Sequence, residues 1–157
     1  MVSFAFNVFI KHVWKTNHCL YAIHDSNTNF YVNRKGNMRI LIVDDSSFAQ
    51  HFTRKMLEVA FPQAKLFFAS DGAQGYEMFV EHKPDYVISD LLMPRMDGKE
   101  MIKLIREKDP ESKIIVLSSD IQRLVKEEIA SLGVLHFINK PLTEENGKFL
   151  VAILGGK

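Results

Sequence analysis

Residues 38–157 predict an α/β protein: a five-stranded parallel sheet, doubly wound, with helices on both faces. Two observations carry the prediction. Five short apolar runs rich in β-branched residues alternate with stretches whose apolar residues recur at helical spacing. Each run ends in turn or cap residues before the next helix opens, the rhythm of strand–helix units joined by right-handed crossovers.

The first strand is Arg39-Ile-Leu-Ile-Val43, nearly all apolar, as a strand covered on both faces requires. Asp44-Asp45-Ser46-Ser47 supplies cap chemistry for a helix over Ser47 to Ala60, with Phe48, Phe52, Met56 and Val59 on one face and Pro62 as its stop. Lys65-Leu-Phe-Phe-Ala69 is the second strand, and Ser70-Asp71-Gly72 turns into a helix bearing Tyr76, Phe79 and Val80. Pro84 opens the third strand, Tyr86 to Asp90. A loop from Leu91 to Gly98 then leads into a helix over Lys99 to Glu107 that carries Met101, Ile102 and Ile105. Lys113 to Leu117 is the fourth strand. Its helix presents Ile121, Leu124, Val125, Ile129 and Leu132, and Gly133 ends it. Val134 to Ile138 is the fifth strand, followed by Lys140-Pro141 and a closing helix from Thr143 to Leu154.

Composition bounds the function. With 46% apolar and 25% charged residues the 157-residue chain has the ordinary mix of a soluble domain. A net charge of +1 gives no field that points to nucleic acid or to an anionic membrane. The single Cys19 excludes a disulfide scaffold and a cysteine-rich zinc site, and fits a reducing, cytoplasmic home. No apolar run reaches the roughly 20 residues a membrane span needs. Val2 to Ile10, broken by Ser3 and Asn7 and lacking a basic flank, makes a poor signal peptide.

Residues 1–37 differ from the rest. They carry four Lys/Arg against one Asp, three of the six histidines and seven of the seventeen aromatics, with no sustained period of 3.6 or 2. They read as a flexible or non-native leader translated from an upstream start, with Met38 as the natural beginning and the purine-rich codons expected of Arg34-Lys35-Gly36-Asn37 as a translated ribosome-binding site. A docking arm is the alternative.

In a doubly wound sheet, ligands sit beyond the carboxyl ends of the strands. Those ends present Asp44-Asp45, Asp90, Ser118 and Lys140. Singly, each has an ordinary explanation: an acidic cap, a loop carboxylate, a serine cap, a solvated lysine. Together they converge on one crevice. Three gathered carboxylates repel one another and call for a cation, and hard oxygen ligands suit Mg²⁺, with Mn²⁺ as a substitute. A carboxylate can also attack phosphorus to form an acyl phosphate. Asp90, central on the third strand, is the natural nucleophile. Asp44 and Asp45 would hold the metal, while the Lys140 ammonium and the Ser118 hydroxyl would each hold a phosphoryl oxygen.

The motifs Ile-Leu-Ile-Val-Asp44-Asp45-Ser46, Asp90-Leu-Leu-Met93-Pro94-Arg-Met-Asp97-Gly98, Ile-Ile-Val-Leu-Ser118-Ser119 and Phe137-Ile-Asn-Lys140-Pro141 resemble the receiver domain of two-component response regulators, of the stand-alone CheY-like type, over residues 38–157. The resemblance implies a flavodoxin-like sheet of strand order 2-1-3-4-5. It implies a phosphoacceptor Asp90, supplied by a histidine kinase or histidine phosphotransfer protein, and Mg²⁺ on Asp44, Asp45, Asp90 and the Leu92 backbone carbonyl. It also implies a cis bond between Lys140 and Pro141. Ser118, Phe137 and Pro141 would form the switch, and the output surface would lie on the fourth helix, fifth strand and last helix. Phosphotransfer partners are expected near Phe48 and Pro141, with Phe52 turned to the core.

Such a protein is a switch and not an enzyme: it phosphorylates itself from small donors and loses the group slowly. It works as a monomer or weak dimer, without nucleic acid or membrane. Phe137 lacks a phenolic oxygen for a switch hydrogen bond, and Leu92, flanking the water path with Asp120, cannot orient water. A phosphorelay intermediate and a degenerate binding module are the alternatives. A dehalogenase-like phosphatase needs a second acid two residues beyond its nucleophile on the first strand. Ser46 and Ser47 stand there instead. Only Gly155-Gly156-Lys157 follow the last helix, which argues against a DNA-binding effector.

Overall fold

The computed structural model describes residues 9–15, 18–25, 28–33, 37–119 and 122–155. Near the N-terminus, β1 (Phe9–Lys15), β2 (His18–Asp25) and β3 (Thr28–Asn33) pair antiparallel in the order β1-β2-β3. The sequence shows no sustained period over these residues, and the structure adds these pairings to it. None of these runs alternates cleanly, so a period count passes over them.

The body follows as β4 (Arg39–Val43), α1 (Ser47–Ala60), β5 (Lys65–Ala69), α2 (Gly72–His82), β6 (Tyr86–Ser89), α3 (Gly98–Lys108), β7 (Ile114–Ser118), α4 (Arg123–Ser131), β8 (His136–Asn139) and α5 (Glu144–Leu154). Its sheet is parallel, in the order β5-β4-β6-β7-β8, which is 2-1-3-4-5 counted within the body. Side chains alternate across a strand, and in β4 both sets are apolar. Ile40 and Ile42 join Leu57, Ile88, Leu117 and Leu150 in a core under α1 and α5. Leu41 and Val43 join Val87, Val116, Met101, Ile105 and Ile129 in a second core under α2, α3 and α4.

Four helices begin on a side-chain cap, in which Ser46, Asp71, Asp97 and Thr143 accept from the backbone N–H of Ala49, Gln74, Glu100 and Asn146. The fifth, α4, opens at Gln122 without a side-chain capping bond, and Gly133 follows it at φ 70°.

Two faces need correction. Thr53, Leu57 and Ala60 are the buried residues of α1, while Phe48, Phe52 and Val59 are 79%, 42% and 47% exposed. The sheet already supplies bulk beneath this helix, so small Thr53 and Ala60 let it lie close. Met56 instead meets α5, where its sulfur stands 2.7 Å from the point a β-carbon on Gly147 would occupy. In α2, Phe79 is buried and Val80 is exposed. Strand β8 also starts two residues later than the sequence suggests.

Candidate functional site: an acidic pocket at the strand ends

Strands β4 and β6 are neighbours in register, with Val43 opposite Ser89, so the next residues, Asp44 and Asp90, emerge side by side. The N–H of Asp90 donates to the Val43 carbonyl at 2.9 Å and that of Asp44 to the Ala69 carbonyl at 3.0 Å, which extends the ladder to the pocket rim. Strand β7 brings Ser118 alongside. The Lys140 N–H donates to the Ser118 carbonyl at 2.9 Å just after β8. The bond between Lys140 and Pro141 is cis.

Asp90 is 6% exposed and Asp44 4%, whereas Asp45 is open to solvent. Each of the three offers a carboxylate oxygen within 4.8 Å of the others. Oδ1 of Asp90 accepts from the N–H of Leu91 at 2.6 Å, the N–H of Leu92 at 3.1 Å and the Ser118 hydroxyl at 2.8 Å. Its Oδ2 accepts from the Lys140 ammonium, which also reaches Asp44 Oδ2 at 2.6 Å. Lys140 therefore bridges the two buried acids. Burial pushes the Asp44 carboxyl above its ordinary range, and the Lys140 ammonium and the Ser46 N–H offset that only in part. Burial also works against the charge on Lys140, but hydrogen bonds to Asp44 and Asp90 outweigh it and hold the ammonium above the usual lysine value. Lys140 stays charged.

The donor set fits a hard divalent cation: three carboxylates in reach of one another, one on the solvent side where an ion can enter with part of its water. The Leu92 side chain is exposed at this rim, and Ser119 is small and exposed, which leaves the Asp90 carboxylate approachable. Gly98 is required by close approach. A β-carbon there would stand 1.9 Å from the Asp90 carbonyl oxygen.

The other predicted residues sit around this centre. Phe137 is half-buried with the Lys126 ammonium 5.0 Å from its ring centroid, so it is neither fully in the core nor free of it. Pro141 and Phe48 are exposed. Asp120 and Ile121 lie outside the described residues. Sequence reasoning missed Gln50, whose amide donates to the carbonyls of Asp44 at 2.6 Å and Ala69 at 2.9 Å and so ties α1 to the rim. It also missed the pairing of Asp71 with Arg95. A polar residue one turn after an Asp-Ser cap was the available signal for Gln50; none marked the pairing.

Doubly wound parallel sheets form a class that binds its ligands at the carboxyl edge, where this chain gathers its acids and a lysine. Within that class, residues 40–151 match the family model described as the response regulator receiver domain. The chain belongs to this family. It is 37% identical over 103 residues to the chemotaxis protein CheY of Bacillus subtilis, covering 66% of this chain and 85% of that one. It is 33% identical over 105 residues to protein-glutamate methylesterase/protein-glutamine glutaminase 3 of Geobacter sulfurreducens, where it spans 66% of its own length but only 28% of the relative's. Among solved structures, the response regulator domain of Thermotoga maritima CheB superposes with a TM-score of 0.64 at 31% identity, over 76% of this chain and 91% of that one. Receiver domains of this family are phosphoacceptor switches with an acidic pocket for Mg²⁺. Among the described residues, no helix is long and apolar enough to cross a membrane.

Proposed function

We propose that this receiver domain takes a phosphoryl group on Asp90 from the phosphohistidine of a kinase or phosphotransfer protein, in a cytoplasmic two-component pathway, and relays the event by protein contact. The observation that carries the reading is the convergence of Asp44, Asp45 and Asp90 within one ion's reach, with Lys140 bridging the two buried acids.

In the transfer, a carboxylate oxygen of Asp90 forms the new O–P bond as the N–P bond of the donor imidazole breaks, and the imidazole leaves with the electron pair and takes a proton. The Leu91 and Leu92 N–H groups and Ser118 hold the other carboxylate oxygen and orient the attack. Lys140 turns from Asp90 to the incoming phosphoryl oxygens, a charge-assisted contact in a half-buried place. Asp44, Asp45, Asp90 and the Leu92 carbonyl would hold Mg²⁺, or Mn²⁺ in its place, and the ion supplies neutralisation of the remaining negative charge.

The signal then leaves through Ser118, whose hydroxyl exchanges Asp90 for phosphoryl oxygen, and through Phe137, which follows into the space released, with Pro141 at the edge of the change. The face made by α4, β8 and α5 shows Leu135 and Phe149 to solvent, with His136 edge-on to Phe149 at 5.3 Å. This face is the output surface, and the exposed Phe48, Phe52 and Pro141 form the surface for the phosphate donor.

The test is incubation with Mg²⁺ and acetyl phosphate, followed by intact mass. The wild type gains one phosphoryl group and Asp90→Asn gains none. Equal incorporation into both proteins would sink the assignment of Asp90.

A further inference from the structure

Residues 91–97, which leave the pocket from Asp90, are fastened at three points. The Gly98 N–H closes the base on the Leu91 carbonyl at 2.9 Å, and the Gly72 N–H meets the Met96 carbonyl at 3.0 Å. Third, Arg95 donates to Asp71 Oδ2 through Nε at 2.9 Å and through Nη2. The other Asp71 oxygen caps α2 through the Gln74 N–H at 2.9 Å. The Asp71 side chain is 6% exposed and that of Arg95 66%, so the acid is fixed and the loop is brought to it.

Arg95 adopts φ 66°, a left-handed backbone that disfavours any residue with a β-carbon. The guanidinium–carboxylate pair thus holds the loop in a conformation its backbone resists. Arg95 stands three residues beyond Leu92, whose carbonyl belongs to the proposed cation site, and nothing in the transfer itself uses either member of the pair.

We infer that the Asp71–Arg95 pair is a positioning clamp for the divalent cation, holding loop 91–97 so that the Leu92 carbonyl faces the ion before the ion binds. The inference rests on the reading of Asp44, Asp45 and Asp90 as ligands. Outer partners of this kind act on affinity by orienting the groups that touch the metal. Charge alone would move the two sides of the pair in opposite directions, since loss of the Asp71 anion weakens and loss of the Arg95 cation strengthens cation binding, whereas loss of a clamp weakens it from either side.

Calorimetric titration of the full chain with Mg²⁺ provides the test, using Asp71→Asn, Arg95→Ala and Arg95→Lys. Asn keeps an acceptor for the Gln74 N–H, so Asp71→Asn retains the α2 cap and carries the test even where Arg95→Ala folds poorly. Asp71→Asn and Arg95→Ala are expected to weaken Mg²⁺ binding about tenfold. The Mg²⁺ concentration for half-maximal phosphorylation by acetyl phosphate rises by the same factor, with an unchanged rate at saturating Mg²⁺. Arg95→Lys recovers part of the loss, and the double variant is no weaker than the weaker single one, as one shared interaction demands. Wild-type Mg²⁺ affinity in folded Asp71→Asn overturns the clamp, as does a reduced saturating rate with unaltered Mg²⁺ dependence. A wild-type protein that binds no Mg²⁺ overturns the cation site itself, and the clamp with it.

Discussion

Two chain segments leave the acidic pocket, and the anchors described on them lie at different distances from it. The one after Asp90 is bound at Leu91, Arg95 and Met96 before it enters α3 through the Asp97 cap. The one after Ser118 enters α4 at Gln122, with no side-chain capping bond on the helix. That helix is secured instead at its far end. Arg106 donates to the carbonyls of Leu132 at 2.7 Å and Gly133 at 2.6 Å while also gripping those of Pro110 and Ser112, and Glu128 pairs with Lys99 at 2.6 Å. Among the described residues, the anchors named for the first segment lie beside the pocket, and those named for the second lie about one helix length away. The second is the side of the proposed output face.

The strongest blow to the first segment is Gly98→Ala. Its β-carbon would collide with the backbone oxygen of Asp90, and neither backbone can yield cheaply, so the loss is about 3 kcal/mol by denaturant unfolding. Near-native stability would show that the segment gives. Arg106→Ala attacks the far anchor of the second and costs about 2 kcal/mol, since several carbonyls lose a charged donor. Hydrogen exchange should quicken around Leu132 and Ser112 and stay slow at 91–97; the reverse pattern would undo the contrast.

Mg²⁺ at ten times its dissociation constant should stabilise the fold by about 1.4 kcal/mol, seen as a rise in Tm. The added protection belongs in loop 91–97. The smallest effect is on acid stability. The Arg95 guanidinium, and next the Gln74 N–H, hold Asp71 below its usual value of 3.8. Its folded pKa is depressed, so its contribution is present above 3.8 and fades as pH falls through the folded value. The unfolding curve of Asp71→Asn against pH should therefore be flatter on its acid limb, and a parallel curve would mean that Asp71 titrates alike in both states.

The arrangement of the body was legible because a buried parallel strand must be apolar on both faces, and Arg39–Val43 carries that mark at its true limits. The pocket was legible for a related reason: Asp44, Asp90, Ser118 and Lys140 each close or follow a strand, and parallel strands deliver their ends to one edge. The packed face of α1 was not, because Phe48 and Phe52 outweigh Thr53 and Ala60 in any hydrophobic count, while fit against the sheet favours the smaller pair. The pairing of Asp71 with Arg95 joins two loops 24 residues apart and obeys no period. Strands β1 to β3 escaped for want of alternation.

The sheet is one strand-layer thick and apolar on both sides, with Ile40 and Ile42 on one side of β4 and Leu41 and Val43 on the other. It acts as a bulkhead between two oily compartments. A volume change beneath α5 cannot be absorbed by side chains beneath α3, so each compartment has its own packing problem to solve. The core under α1 and α5 can thus be repacked without disturbing the one under α2, α3 and α4.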